Sequence, residues 1–126
     1  MNFLKAHEPK GFFMMIEGSQ IDWGGHSNNE DYVISELLDF DKTIGAVLEF
    51  AERDGETLVV VTADHETGGM SIIKGSKMNK LKIEFADGYH TADLIPVFAY
   101  GPGAELFSGV YENTDIYFRM KKALGL

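Results

Sequence analysis

Residues 58–69 read LVVVTADHETGG, and they give the strongest indication of the fold. Its first part, residues 58–62, is a short run rich in valine, which is typical of a strand buried on both faces. Asp64 and His65 follow this run almost at once. A buried strand rarely ends in two ionisable groups that lack partners, so the end of this strand is the first candidate for a functional site.

The segment that precedes this strand predicts a second strand and a long helix. Residues 12–16 form a continuous apolar run that ends at Glu17. Residues 30–54 carry apolar side chains at the spacing of one helix face, and Asn29 and Gly55 are suited to the two ends of that helix. The predicted buried face consists of Val33, Leu37, Phe40, Ile44, Val47, Leu48 and Ala51. Strand, helix and strand together make a right-handed βαβ unit, so we expect a parallel sheet.

Shorter elements follow the second strand. Residues 71–74 and 80–85 alternate apolar and charged side chains, as an exposed β-hairpin does. Residues 94–100 are the last predicted core strand, and Asn113 or Thr114 begins a final helix. The predicted inner face of that helix is Ile116, Tyr117, Met120, Ala123 and Leu124. We therefore expect one α/β domain over residues 1–126, in which residues 1–10 form a disordered or irregular lead-in.

The composition narrows the choice of partners. With 126 residues, 44% of them hydrophobic, the chain can form one compact core. Its 20 acidic and 11 basic residues leave a net charge of -9, which argues against nucleic acid or an anionic membrane as partners. No stretch approaches the roughly 20 apolar residues of a membrane-spanning helix, and residues 1–10 lack the features of a signal peptide. The sequence has no cysteine, which excludes disulfides and thiolate metal ligands.

Carboxylates and imidazoles are placed where they could bind metal ions. Asp22 and His26 are four residues apart, so on one helical turn their side chains point the same way. Gly24 and Gly25 lie between them, and such a turn must be held by tertiary contacts or by a metal. Glu17 and the strand end at residues 64–65 are expected at the carboxyl edge of the sheet, where open α/β sheets bind ligands.

His90 is the remaining candidate, in a turn that precedes the last core strand. Taken alone, a histidine in a glycine-containing turn is more often a surface residue than a ligand. His7 has no comparable surroundings and is interpreted as structural or as part of a disordered terminus. Taken together, the six candidates could bind two or three divalent cations, which would also offset the negative charge of the chain at an anionic substrate. Their order along the chain favours metal-assisted chemistry on an oxyanion.

Three motifs resemble the alkaline phosphatase family. Residues 17–26, EGSQIDWGGH, resemble its metal-binding segment, and residues 62–69, TADHETGG, resemble its second metal motif. His90 with Thr91, followed by residues 97–104, resembles its C-terminal histidine motif and the next strand. The similarity runs in order from about residue 11 to the C-terminus. The resemblance implies the C-terminal portion of the catalytic domain, and hence a partial parallel-sheet, alkaline-phosphatase-like fold.

The resemblance implies a role for each motif residue. It assigns Asp22, His26 and His90 to a first zinc, Asp64 and His65 to a second zinc, and Glu17 to a magnesium ion. Trp23 and Thr91 are expected beside these ligands without binding metal. The implied activity is hydrolysis of phosphate monoesters with two zinc ions, one magnesium ion and a serine nucleophile. The implied location is periplasmic or secreted.

Part of the family pattern is absent. The nucleophilic serine, an aspartate that bridges two metals and a phosphate-binding arginine would precede Glu17, and residues 1–10 do not supply them. We therefore expect no catalytic residue in this chain and no activity of the chain alone. Two alternatives stay open: a non-catalytic metal-binding fragment, or part of a related phosphodiesterase or phosphomutase. Apolar faces left uncovered would favour association of the chain with itself.

Overall fold

The computed structural model describes all of residues 1–126. It contains four α-helices, one short 3-10 helix and six short strands. The helices are α1 (Asn2–His7), α2 (Gln20–His26), α3 (Glu30–Asp54) and α4 (Asp115–Ala123), with the 3-10 helix at Ala104–Phe107. The strands are β1 (Val59–Val61), β2 (Glu66–Thr67), β3 (Ser71–Ile72), β4 (Ile83–Glu84), β5 (His90–Thr91) and β6 (Phe98–Tyr100). None of the helices is both long enough and apolar enough to cross a membrane.

Helix α3 begins and ends as its sequence predicts. The side chain of Asn29 accepts a hydrogen bond from the backbone N–H of Tyr32, at 3.0 Å. Gly55 adopts a left-handed conformation with φ 72°, and its N–H donates to the carbonyl of Ala51 at 2.8 Å. Both ends are therefore set by local hydrogen bonds that satisfy backbone groups the helix itself leaves unpaired.

The predicted face of α3 is only partly covered. Val33 and Ala51 of that face are buried, as is Phe50, which the predicted face does not include and whose ring lies 6.5 Å from that of Phe12. Leu37, in contrast, keeps 49% of its surface exposed. The periodicity thus identifies the correct side of the helix, but the prediction that Leu37 is buried is wrong for this chain.

The strands pair in a different way from the expected sheet. They form three separate two-stranded ladders, all antiparallel, and β1 pairs with β6 alone. Residues 12–16 are assigned to no strand, and no backbone group of residues 12–17 is hydrogen-bonded. The α/β class, the β3–β4 hairpin and the C-terminal helix are confirmed, but the expected parallel pairing does not form. An apolar run indicates that a strand is buried without identifying its neighbour, which is a property of the tertiary fold.

Two predictions at the chain termini are wrong. Residues 1–10 contain helix α1, in which the rings of Phe3 and His7 stack at 4.2 Å and His7 Nδ1 donates to the carbonyl of Phe3. His7 is therefore structural. At the other end, α4 has no buried residue, and Tyr117 and Leu124 of its predicted inner face are 57% and 55% exposed. The helix forms as expected, but too little of the chain lies against it to cover that face.

Much apolar surface faces outward. Only eight of the 126 residues are buried. Met15 is 79% exposed, Phe13 is 63% exposed and Leu38 is 58% exposed, which is unusual for large apolar side chains. Phe13 and Met15 belong to the unpaired segment 12–16, and Leu38 lies on α3.

Candidate metal centre

Two glycines bring helix α2 against its neighbours. Gly24 and Gly25 are both buried. A Cβ atom on Gly24 would lie 2.9 Å from the side chain of Val33 in α3, and one on Gly25 would lie 2.8 Å from the carbonyl oxygen of Thr67 in β2. Any side chain would collide at these distances, so only glycine permits the contacts. Tertiary contacts therefore hold this turn of helix.

The hydroxyl of Thr67 links Asp22 to His65. It donates a hydrogen bond to Asp22 Oδ1 at 2.5 Å, and it lies 3.2 Å from His65 Nδ1. Because a hydroxyl has a single hydrogen, the bond to His65 requires Nδ1–H as the donor. The lone pair of His65 is then on Nε2, where it is available to a metal ion. Thr67 lies within the second motif, but nothing in the sequence around it indicates this role.

Three predicted ligands converge on one point. Asp22, His65 and His90 each offer a ligand atom, and these atoms lie within 4.8 Å of one another. The rings of His65 and His90 are stacked, with centroids 3.5 Å apart and an interplanar angle of 19°. In a tetrahedral zinc site the ligand atoms are roughly 3.3 Å apart, because each lies about 2 Å from the ion. Small side-chain rotations would bring the three atoms to that separation.

His26 lies at the edge of this cluster. Its Nε2 is 3.6 Å from Asp22 Oδ1, and its ring centroid is 5.1 Å from that of His90. Its Nδ1 donates to the carbonyl of Gly88 at 3.0 Å, which leaves the lone pair on Nε2, facing Asp22. The structure thus confirms that Asp22 and His26 point the same way from one helical turn.

The other predicted residues lie outside the three-ligand cluster. Asp64 is beside His65, with 3.4 Å between Oδ2 and Nε2, but its side chain is 85% exposed. Glu17 lies in the extended segment ahead of α2 and lines a separate shallow cleft with Gln20, Glu36 and Asp39. Trp23 is 57% exposed. Their assigned roles stay predictions.

Glu66 ties β2, which directly follows His65, to β5, which carries His90. Its carboxylate accepts hydrogen bonds from the hydroxyl of Thr91 and from the N–H groups of Gly69 and Met70. Burial alone would raise the pKa of Glu66, but these three hydrogen bonds and the neighbouring His65 outweigh it and hold the pKa below its ordinary value. The ionised Glu66 therefore keeps β2 and β5 together. The sequence motifs single out Thr91 but not its partner Glu66, whose role appears only in the structure.

The donor set suits a divalent cation. One carboxylate and two or three imidazoles combine a hard oxygen with borderline nitrogens, the mixture that zinc favours when no thiolate is present. The other ring nitrogen of both His65 and His26 is already hydrogen-bonded, as metal-binding histidines require. The cluster is also accessible, since His90 is exposed and His26 and His65 are only partly buried. The residues present therefore fit a zinc ion.

Comparison with known proteins places the chain in a family. The sequence profile of the family described as alkaline phosphatase matches residues 2–83 and 74–126, which together include every residue except the first. The chain belongs to the alkaline phosphatase family. This alkaline phosphatase chain is 34% identical to the alkaline phosphatase of Escherichia coli, over 98% of its own length and 30% of that protein.

Solved structures agree with this assignment. The alkaline phosphatase of the Antarctic bacterium TAB5 is 52% identical and superposes with a TM-score of 0.85, over 90% of this chain and 35% of that one. A histidine-to-aspartate variant of the TAB5 enzyme, with magnesium bound in its M3 site, is 49% identical, with a TM-score of 0.87 over 95% of this chain and 38% of that one. The chain spans about a third of the length of the relatives it matches.

The Thr67 hydroxyl can be tested by two substitutions. Thr67→Val keeps the shape of the side chain but leaves Asp22 and His65 Nδ1 without their shared partner. We expect zinc affinity to fall by about 10- to 100-fold, the usual loss when a hydrogen-bond partner of a metal ligand is removed. Thr67→Ser keeps the hydroxyl and should bind zinc within a few-fold of the wild type. Calorimetric titration measures both, and unchanged affinity in Thr67→Val would contradict the role of the hydroxyl.

Proposed function

We propose that this chain is the metal-binding C-terminal part of an alkaline phosphatase that hydrolyses phosphate monoesters. The convergence of Asp22, His65 and His90 carries this proposal, because it unites ligands from three separated motifs. Family membership and the magnesium bound by the TAB5 variant support metal-dependent chemistry. Bound cations would also give a chain of net charge -9 the local positive charge that a phosphate ester needs.

In the proposed assignment, which follows the family resemblance and divides the three-ligand cluster between two neighbouring ions, Asp22, His26 and His90 hold the first zinc. Asp64 and His65 hold the second, and Glu17 contributes to a magnesium site. A divalent ion in such a site supplies Lewis-acid stabilisation of phosphoryl oxygens. Thr67 and Glu66 position the ligands, and the carboxylates of Asp22 and Asp64 offset only part of the charge of the cations.

The reacting serine, the bridging aspartate and the phosphate-binding arginine do not match any position of this chain, so we propose that the chain alone does not turn over phosphate esters. An assay with 4-nitrophenyl phosphate in the presence of zinc and magnesium tests this point. Turnover above background that disappears in His90→Ala would contradict it.

A second candidate function is binding of a single metal ion without catalysis. The separation of Glu17 from the cluster and the exposure of Asp64 favour it, since both leave only one well-assembled group of ligands. The number of zinc ions bound per chain distinguishes the two candidates: one ion favours the single site, and two favour the phosphatase arrangement.

Zinc binding gives the direct test of the site. Titration of the 126-residue chain should show a tight zinc site. His90→Ala should lower its zinc affinity by more than the roughly 10- to 100-fold that is typical when a residue hydrogen-bonded to a metal ligand is removed. His7→Ala is the matched control, because His7 packs on Phe3 in α1, and this variant should bind as the wild type does. No tight site in the wild type, or equal affinity in all three proteins, would contradict the proposed centre.

We further propose that the chain associates with itself through its exposed apolar surface. The unpaired backbone of residues 12–17 and the outward-facing Phe13, Met15 and Leu38 support this. Sedimentation velocity should show species larger than a monomer that increase with protein concentration. A single monomeric species throughout the micromolar range would rule out the association.

We also propose a periplasmic or secreted location for the protein, as the family resemblance implies. Fractionation of the source cells tests this, and recovery in the cytoplasmic fraction would contradict it.

A further inference from the structure

We propose that Tyr89 is a positioning residue of the metal centre, whose ring holds the imidazole of His90 in place. This inference rests on the proposed zinc site and adds to it a residue that binds no metal. Tyr89 belongs to none of the three motifs, and it immediately precedes His90 in the turn formed by residues 86–89.

The rings of Tyr89, His90 and His65 form one stack. Tyr89 lies 4.5 Å from His90 with an interplanar angle of 19°, and His65 lies 3.5 Å from His90 at the same angle. Two rings cannot occupy the same face of one imidazole, so His90 lies between its two neighbours. Rotation of His90 about its side-chain bonds would break both contacts. The tyrosine ring therefore limits the orientations that His90 can adopt.

The turn that carries Tyr89 is fixed to the metal-binding strand by its backbone. The N–H of Gly68 donates to the carbonyl of Tyr89 at 2.9 Å. The carbonyl of Gly68 accepts from the N–H groups of Ala86 and Asp87, at 2.8 and 3.2 Å. Gly68 has φ 94°, and a Cβ there would lie 2.9 Å from the ring of Phe85, so glycine is required at this position. Tyr89 is thereby anchored one residue beyond Thr67.

The same turn also contacts His26. The carbonyl of Gly88 accepts the hydrogen bond from His26 Nδ1, and the ring of Tyr89 lies 5.5 Å from the His26 ring. A single turn of non-ligand residues thus touches two of the imidazoles assigned to the first zinc.

The exposure of Tyr89 argues that it does not serve the core. Its side chain is 66% exposed, and its ring contacts are with His26 and His90. An aromatic residue that stabilised the fold by burial would be largely covered. The ring is what matters in these contacts, so phenylalanine should replace tyrosine without loss.

Four variants of the 126-residue chain test the proposal. Tyr89→Ala and Tyr89→Leu remove the flat ring, and Leu keeps apolar bulk if the alanine variant folds poorly. Tyr89→Phe keeps the ring. Tyr117→Ala is the matched control, since Tyr117 is similarly exposed and lies on α4. Zinc affinity is measured by competition with a chromogenic chelator, and site geometry by the visible spectrum of bound cobalt(II).

We expect about a tenfold loss of zinc affinity and a changed cobalt spectrum in Tyr89→Ala and Tyr89→Leu, the lower end of the effect typical of residues that orient metal ligands. Tyr89→Phe and Tyr117→Ala should match the wild type in both measurements. Circular dichroism of the metal-free proteins should be the same for all, which separates positioning from folding.

Two results would overturn the proposal. Wild-type affinity and an unchanged cobalt spectrum in Tyr89→Leu would show that the ring does not position His90, although the metal centre itself would stand. Absence of zinc binding in the wild type would remove the metal centre and the role of Tyr89 with it.

Discussion

The contact between Gly25 and the carbonyl oxygen of Thr67 is the constraint on which the site depends. It brings α2 so close to β2 that a Cβ atom would lie 2.8 Å from that oxygen. Because the two elements lie this close, Asp22, which precedes Gly25 by three residues, reaches the hydroxyl of Thr67. Asp22 lies 45 residues from Thr67 along the chain, so this one contact joins two motifs that sequence alone leaves apart.

From this contact, His65 and His90 are fixed by hydrogen bonds and a stacked ring. Thr67 sets the tautomer of His65, Glu66 holds β2 to β5, and β5 brings His90 onto the face of His65. Each of these contacts restricts the orientation of a ligand side chain. A pre-oriented site loses less side-chain entropy on binding than one that must assemble around the ion.

Local signals are predictable from the sequence, whereas pairing partners are not. Asn29 and Gly55 mark the ends of α3 because each acts on backbone groups within a few residues. The strand tendency of residues 59–61 is equally clear, but the antiparallel partner, β6, lies far along the chain, with Val61 opposite Phe98.

The roles of Thr67, Glu66 and Tyr89 escape prediction for the same reason: they depend on tertiary neighbours, and threonine, glutamate and tyrosine are common in loops and strand ends. The candidate metal ligands stand out in the sequence because carboxylates and imidazoles in such a pattern are typical of metal sites, and their assignment to particular ions stays a prediction.

The zinc affinity of Gly25→Ala, compared with that of Gly45→Ala, tests most directly whether the site depends on this contact. Gly45 lies within α3, and a Cβ atom added there would meet no atom within 4 Å. Alanine at residue 45 should therefore leave zinc binding unchanged and stabilise the helix by about 0.5–1 kcal/mol. Gly25→Ala should push α2 away from β2, separate Asp22 from Thr67 and weaken zinc binding at least about tenfold. Wild-type affinity in Gly25→Ala would show that the site does not depend on this contact.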